Sequence, residues 1–262
     1  METTVNGLKI SYEVAGNGPW LTLSHSLACD KHMWDEQMDA LTKKYKVLRY
    51  DTRGHGKSEA PTGAYTLDQL ADDVHGLFGA LGIERTHWAG LSMGGMIGQT
   101  FALKYPGVFQ SLILADTTSR YPADAAGVWA ERIKAVEAQG MEGVVEGTLA
   151  RWFTEPFRKS NPPGVARVAA AIRATPVAGF VGCCHALPKI NVTERLKEIA
   201  CPTLVIVGEQ DPGTPVAMAR EIHENKPGSE LVIIPSAAHI SNIEQPQAFT
   251  SAMLGFLERV PA

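Results

Sequence analysis

Gly90-Leu91-Ser92-Met93-Gly94-Gly95 is the stretch whose reading decides the fold. A strand-like run at residues 87–89 leads into it, and a helix-like run at 96–105 follows. G-x-S-x-G between a strand and a helix places a serine on a sharp, strained turn with its hydroxyl exposed. Small residues two before and two after Ser92 relieve the crowding such a turn creates. The Met93 amide, at the helix start, then points to where an oxyanion would form. Without that context the same letters describe a glycine-rich turn carrying an incidental serine.

Outward from this turn, the chain alternates strands and helices. Leu8, Ile10, Tyr12 and Val14 alternate with polar residues, the period of a half-exposed antiparallel strand, hairpin-paired with residues 3–5. Most of the apolar bursts at 20–23, 46–50, 86–89, 111–115, 203–207 and 230–234 are nearly continuous, as expected of parallel strands covered on both faces. Between them, Leu67, Leu70, Ala71, Val74, Leu77, Phe78 and Leu81 form one apolar stripe. That helix opens with a capping-box pattern at Thr66 and stops at Gly82. Thr214-Pro215 predicts another helix start, and residues 247–260 a last helix. The expectation is an α/β architecture: a mostly parallel eight-stranded sheet with helices on both faces. Residues 118–199 break the alternation, being helix-like throughout and too long for a plain connection. They are predicted to form an inserted helical cap, with a helix that rejoins the core. Residues 1–117 and 200–262 form the core domain in this reading.

A serine hydroxyl needs a base within hydrogen-bond reach to be nucleophilic at neutral pH. Of the eight histidines, His239 is the one in a loop after the last strand-like run, where the chain order serine, acid, histidine puts a base. Asp211, directly after the run at 203–207, is the candidate acid to orient it. Asp116, at the end of the preceding strand, is its rival. A second oxyanion donor is expected after an early strand, where His25-Ser26-Leu27 makes the Leu27 amide the candidate beside Met93. His25 reads as a structural hydrogen-bonding residue, and Asp51, Arg53 and His55 as a scaffold network.

Bulk properties narrow the partner. Net charge is −4 and 20% of residues are charged, which gives no basic surface for nucleic acid and no polybasic membrane signal. No apolar run has the length of a signal peptide or a membrane span. Cys29, Cys183, Cys184 and Cys201 lack metal-site spacing and read as free thiols, as in a cytoplasmic protein. No histidine–carboxylate cluster suggests a metal, and no G-x-G-x-x-G a dinucleotide. The expected partner is a small molecule, with no cofactor; oligomeric state is left open.

With these residues in view, the chain resembles the enol-lactone hydrolases of aromatic catabolism, the 3-oxoadipate enol-lactonase family of the α/β-hydrolase fold. The matching segments are His25-Ser26-Leu27, Met33-Trp34, residues 49–56, residues 90–95, Arg151-Trp152-Phe153-Thr154, Ala238-His239-Ile240-Ser241-Asn242 and Glu244-Gln245-Pro246. Ser26, where most relatives carry glycine, is among the more discriminating. Two positions depart from the family: Ala186-Leu187-Pro188-Lys189 replaces an expected arginine–aspartate pair after Cys184, and Asp116 stands where asparagine is expected. The resemblance implies attack of Ser92 on a lactone carbonyl, an acyl-enzyme, and a substrate that carries a carboxylate. Arg132, Arg151 and Lys189 are candidates to bind that carboxylate, with Trp129 and Trp152 as cap contacts. A broader carboxylesterase or a carbon–carbon bond hydrolase shares the same serine, acid and histidine. A non-catalytic ligand receptor on the same fold is the reading from a different class.

Overall fold

Asn6 and Gly7 take positive φ, 52° and 74°, as a two-residue hairpin turn requires. They fold β1 (Glu2–Val5) back on β2 (Leu8–Ala15). In this computed structural model, which describes residues 1–260, β2 also runs antiparallel to β4 (Lys46–Tyr50). Parallel pairing joins β4 to β3 (Trp20–Ser24), then β5 (Thr86–Leu91), β6 (Phe109–Ala115), β7 (Thr203–Gly208) and β8 (Glu230–Ile234). The eight-stranded sheet has the order β1-β2-β4-β3-β5-β6-β7-β8, so each expected strand is present. Every residue of β5 and β7 is buried, which explains runs without alternation. The chain steps from β3 outward to β4 and returns to the other side of β3 with β5. Such a reversal opens a crevice at the carboxyl ends of the strands.

α1 (Asp35–Leu41) and α11 (Pro246–Leu257) pack together on one face; α2 (Leu67–Leu81) and α3 (Met93–Lys104) pack on the other. Thr66 Oγ1 accepts the Gln69 N–H at 3.0 Å to start α2, and Gly82 ends it at φ 67°. Burying Leu70, Val74, Leu77 and Phe78 contributes roughly 1.5–3 kcal/mol each. The last helix begins at Pro246 and ends at Leu257, three residues short of the expected end. The start expected at Thr214-Pro215 also shifts. α9 (Val216–Asn225) has Pro215 as its cap, because the Thr214 hydroxyl is committed to a carboxylate instead. Residues 261 and 262, assigned to the core from sequence, lie outside the described residues.

Between β6 and β7 stand α4 (Ala125–Gln139), α5 (Glu142–Trp152), α6 (Glu155–Ser160), α7 (Pro162–Ala174) and α8 (Val177–Ala186). The return to the core is made by two 3₁₀ turns, Leu187–Lys189 and Thr193–Glu198, and not by the expected helix. Pro188 cannot extend α8, and Val192 N–H is drawn to Ser119 O at 2.9 Å. α8 meets the core backbone to backbone. Gly54, at φ 80°, would place a Cβ 2.4 Å from Gly179 Cα, and a Cβ on Gly179 would lie 2.0 Å from Gly54 O. One turn on, Tyr65 N–H donates to Gly182 O at 3.0 Å. α10 (Ser241–Glu244) lies just before α11.

The loops that follow β3 and β4 are clamped by buried polar groups. His25 Nε2 accepts the Thr52 N–H at 2.9 Å, and His55 Nε2 accepts the Ala28 N–H at 3.0 Å. Burial pushes His55 down to about 3, so it acts as a neutral acceptor. Asp51 is fully buried. It accepts from Lys31 N at 2.9 Å, Lys57 N at 3.0 Å and Lys31 Nζ at 2.8 Å. Burial alone would raise its carboxyl, but the Lys31 hydrogen bond and the other donors outweigh that and hold it low. Arg53 reaches Asp73 through two bonds of 2.7 and 2.8 Å. The sequence reading of Asp51, Arg53 and His55 as scaffold matches these contacts; the buried Lys31 went unnoticed because lysine is ordinarily exposed. Lys31→Met should leave Asp51 charged and unpaired, and cost about 3–5 kcal/mol in urea unfolding. Loss below about 1 kcal/mol would remove the ion pair from the scaffold.

Candidate functional site

Ser92 follows β5 directly, with φ 55° and ψ −112°, a region that residues with a side chain avoid. Four hydrogen bonds hold it there. Its N–H donates to Ala115 O at 2.8 Å; its carbonyl accepts from Thr117 Oγ1 at 2.8 Å, Gly95 N at 2.9 Å and Met96 N at 3.1 Å. The small residues flanking the serine are required by contact. A Cβ on Gly90 would lie 2.1 Å from Gly94 O, and one on Gly94 would lie 2.3 Å from Ser24 O.

The Ser92 hydroxyl faces His239, with Oγ 3.0 Å from Nε2. On the other side of the ring, Nδ1–H donates to Asp211 Oδ2 at 2.7 Å. Asp211 is itself built in: Oδ1 accepts from Gly213 N at 2.7 Å and Thr214 N at 3.1 Å, and Oδ2 accepts from Thr214 Oγ1 at 2.7 Å. Burial would raise the Asp211 carboxyl, yet the His239 charge and these hydrogen bonds leave it below its ordinary value. Burial likewise pulls His239 down, and the Asp211 charge and hydrogen bond more than offset that. The imidazole therefore titrates above its ordinary 6.5.

Asp116, the rival acid, does not hydrogen-bond the imidazole. It sits at φ 45° after β6, where Oδ1 accepts from Gly208 N at 2.7 Å and Oδ2 from Ser241 Oγ at 2.5 Å. Full burial, together with the Asp211 charge, pushes it up to about 8. Of these two neighbouring buried carboxyls, Asp116 is the one that takes a proton first.

Leu27 is buried between engaged neighbours. Ser26 N–H donates to Met33 Sδ at 3.1 Å and Ala28 N–H to His55, while the Leu27 amide has no acceptor among the described residues. Met93 is the first residue of α3, where a helix leaves its N–H groups without internal partners. Leu27 borders the same cavity as Ser92, and Met93 is the next residue in the chain.

A cavity of about 400 Å³ opens over this group, bordered by Ser26, Leu27, Ser92 and His239 below and by Tyr121, Trp129, Arg132, Arg151, Trp152 and Leu187 above. The Trp152 ring centre lies 6.1 Å from that of His239, and the Arg132 guanidinium lies 4.6 Å over the Trp129 ring. Among the described residues, neither Arg132 nor Arg151 has a carboxylate within the 4.0 Å of an ion pair, although Asp124 borders the same cavity. Burial and the charge of Arg132 both push Arg151 down, the mark of two cations facing one space. Lys189, the third cation considered, is exposed and does not border the cavity. Thr214, Tyr121 and Leu187 were missed from sequence. Thr214 alone had a signal, the Asp-x-x-Thr spacing that lets a hydroxyl return to a carboxylate.

The cap and the histidine loop are tied directly. Glu244 accepts Ala238 N–H at 2.8 Å through Oε2, and Thr154 N–H at 3.0 Å, with the Thr154 hydroxyl, through Oε1. Ile240 N–H donates to Trp152 O at 3.2 Å. Asn242 Nδ2 donates to Met33 O at 2.9 Å and Gln37 Oε1 at 3.1 Å, joining the same loop to the start of α1.

Residues 19–246 match the profile of the family described as alpha/beta hydrolase fold. The chain is 36% identical over 258 residues to 3-oxoadipate enol-lactonase 2 of Acinetobacter baylyi, covering 98% of this chain and 96% of that one. It is 29% identical to a putative carbamate hydrolase, RutD, of Agrobacterium fabrum, covering 94% and 97%. The crystal structure of the enol-lactonase from Burkholderia xenovorans LB400 superposes with a TM-score of 0.95 at 36% identity, covering 99% of this chain and 100% of that one. With the expected sheet and a nearly full-length match to these relatives, the chain belongs to the α/β-hydrolase family and, within it, to the relatives of the 3-oxoadipate enol-lactonases.

Proposed function

We propose that the protein opens an enol-lactone ring, converting 3-oxoadipate enol-lactone or a close analogue to the free oxo acid through an acyl-enzyme on Ser92. The observation that carries this reading is the hydrogen-bonded line Ser92–His239–Asp211 ending in a cavity with two arginines that lack carboxylate partners. His239 takes the Ser92 proton as Oγ attacks the lactone carbonyl, and Asp211 stabilises the resulting imidazolium. The Leu27 and Met93 amides receive the developing oxyanion. The ring C–O bond then breaks, the enol oxygen leaves with the proton held by His239, and the enol tautomerises to a ketone. Water, deprotonated by His239, frees the acid from Ser92. Arg132 and Arg151 hold the substrate's own carboxylate by charge-assisted hydrogen bonds, which selects a small acidic lactone over a neutral ester. The identity to 3-oxoadipate enol-lactonases over nearly the whole chain supports the substrate class. The similarity to putative carbamate hydrolases shows that related chains carry names from a neighbouring acyl-transfer reaction.

The deciding measurement is kcat/KM on 3-oxoadipate enol-lactone beside p-nitrophenyl acetate, with Ser92→Ala as the blank. A preference of about a thousandfold for the lactone, or about 4 kcal/mol in transition-state binding, is expected. Ester cleavage without that preference would move the substrate assignment elsewhere. Asp211→Asn should lower kcat by roughly 10³–10⁴. Asp116→Asn, nearly isosteric with the neutral acid present at pH 7, should remain within about tenfold of wild type. Because His239 must be neutral to act as base, kcat/KM should fall on acidification with a midpoint above 6.5. Asp211→Asn removes the main upward influence and should move that midpoint down. Arg132→Met and Arg151→Met should raise KM for the lactone while leaving p-nitrophenyl acetate turnover little changed. Equal losses on both substrates would contradict a carboxylate subsite.

A further inference from the structure

We propose that the Ser26 hydroxyl is a third donor to the substrate oxyanion, beside the Leu27 and Met93 amides; this rests on the hydrolase reading above. Ser26 is 1% exposed, and its Oγ has no hydrogen-bond partner among the described residues. Other buried hydroxyls are engaged, among them Ser24 with Tyr50, Ser58 with Asp51 O and Ser119 with Thr193; Thr52 Oγ1 also lacks a partner among the described residues, but Thr52 does not border the cavity. A buried polar group left unpaired is unusual enough to call for a cause. Of the buried side-chain N and O atoms without partners among the described residues, Ser26 Oγ belongs to the one residue that borders the cavity over Ser92.

The main-chain N–H and C=O of Ser26 itself are both committed. Ser26 N–H donates to Met33 Sδ at 3.1 Å, and its carbonyl accepts His25 Nδ1–H at 2.7 Å and Cys29 N–H at 3.2 Å. Ser26 is therefore held in place next to the Leu27 amide, with the hydroxyl as its one uncommitted donor. In the attack step the Ser92 Oγ–C bond forms, the Ser92 proton moves to His239, and the carbonyl π pair becomes a lone pair on oxygen. Ser26 keeps its own proton and donates a hydrogen bond to that oxygen. When the carbonyl re-forms and the ring C–O bond breaks, the bond from Ser26 weakens again. A donor satisfied mainly in the transition state lowers the barrier without tightening substrate binding.

The test compares Ser26→Ala and Ser26→Gly with wild type, measuring kcat and KM on 3-oxoadipate enol-lactone and p-nitrophenyl acetate, together with Tm. The expected result is a kcat lower by at least about tenfold on both substrates, with KM within about twofold. Tm should be unchanged or higher, because no hydrogen bond of the free protein is lost. That split separates a donor from a packing residue, whose loss would lower Tm and kcat together. Unchanged kcat in folded variants of an active wild type, a rise confined to KM, or a fall in Tm that tracks activity would each overturn the proposal. A wild type that neither turns over either substrate nor labels at Ser92 with a fluorophosphonate would overturn the hydrolase reading, and this proposal with it.

Discussion

Ser92 occupies a backbone conformation that costs about 1–3 kcal/mol for a residue with a side chain, and the rest of the site is arranged around keeping it there. The Ala115 carbonyl at the end of β6 and the Thr117 hydroxyl just beyond it hold it, while Gly95 and Met96 draw its carbonyl into the first turn of α3. Those bonds exist only when β5, β6 and α3 meet in the observed register. The sheet therefore stores the strain, and the exposed hydroxyl is its expression. The missing side chains at residues 90 and 94 are the counterpart: strand, turn and helix close to distances that a single methyl would prevent.

What could be read from sequence follows from locality. The strands announced themselves because buried parallel strands need uninterrupted apolar runs, and β5 and β7 have no exposed position at which to place a charge. Ser92 was legible from its neighbours at 90 and 94, and His239 and Asp211 from their places after strands. The choice between Asp211 and Asp116 was not local. Both follow buried strands, and only the fold shows that one meets the imidazole while the other binds Gly208 and Ser241. Thr214 illustrates a conflict between two local rules. Its hydroxyl suited a helix cap in sequence, and the nearby carboxylate claimed it instead.

The segments that carried the family resemblance are far apart in the chain and converge in space. Thr154 in the cap, Ala238 beside the histidine and Glu244 share one carboxylate, and Asn242 links the same loop to Met33 and Gln37. No periodicity announces such contacts. The arginines show the same limit from the other side. Arg132 and Arg151 lie 19 positions apart on separate helices, where a sequence shows two ordinary surface cations. Their shared outlook on one cavity, with no carboxylate at ion-pair distance among the described residues, exists only after the helices pack.

The contact between Gly54 and Gly179 bears on how roomy the cavity is. The two main chains approach to a distance that leaves no room for a β-carbon on either side. Ordinary carbon contacts begin more than an ångström further out, so the roof over Ser92 rests at a height fixed by two absent methyl groups. The side chains of α4 and α5 give the chamber its texture and charge. Part of its headroom belongs to the peptide backbone, at the point where roof and wall touch.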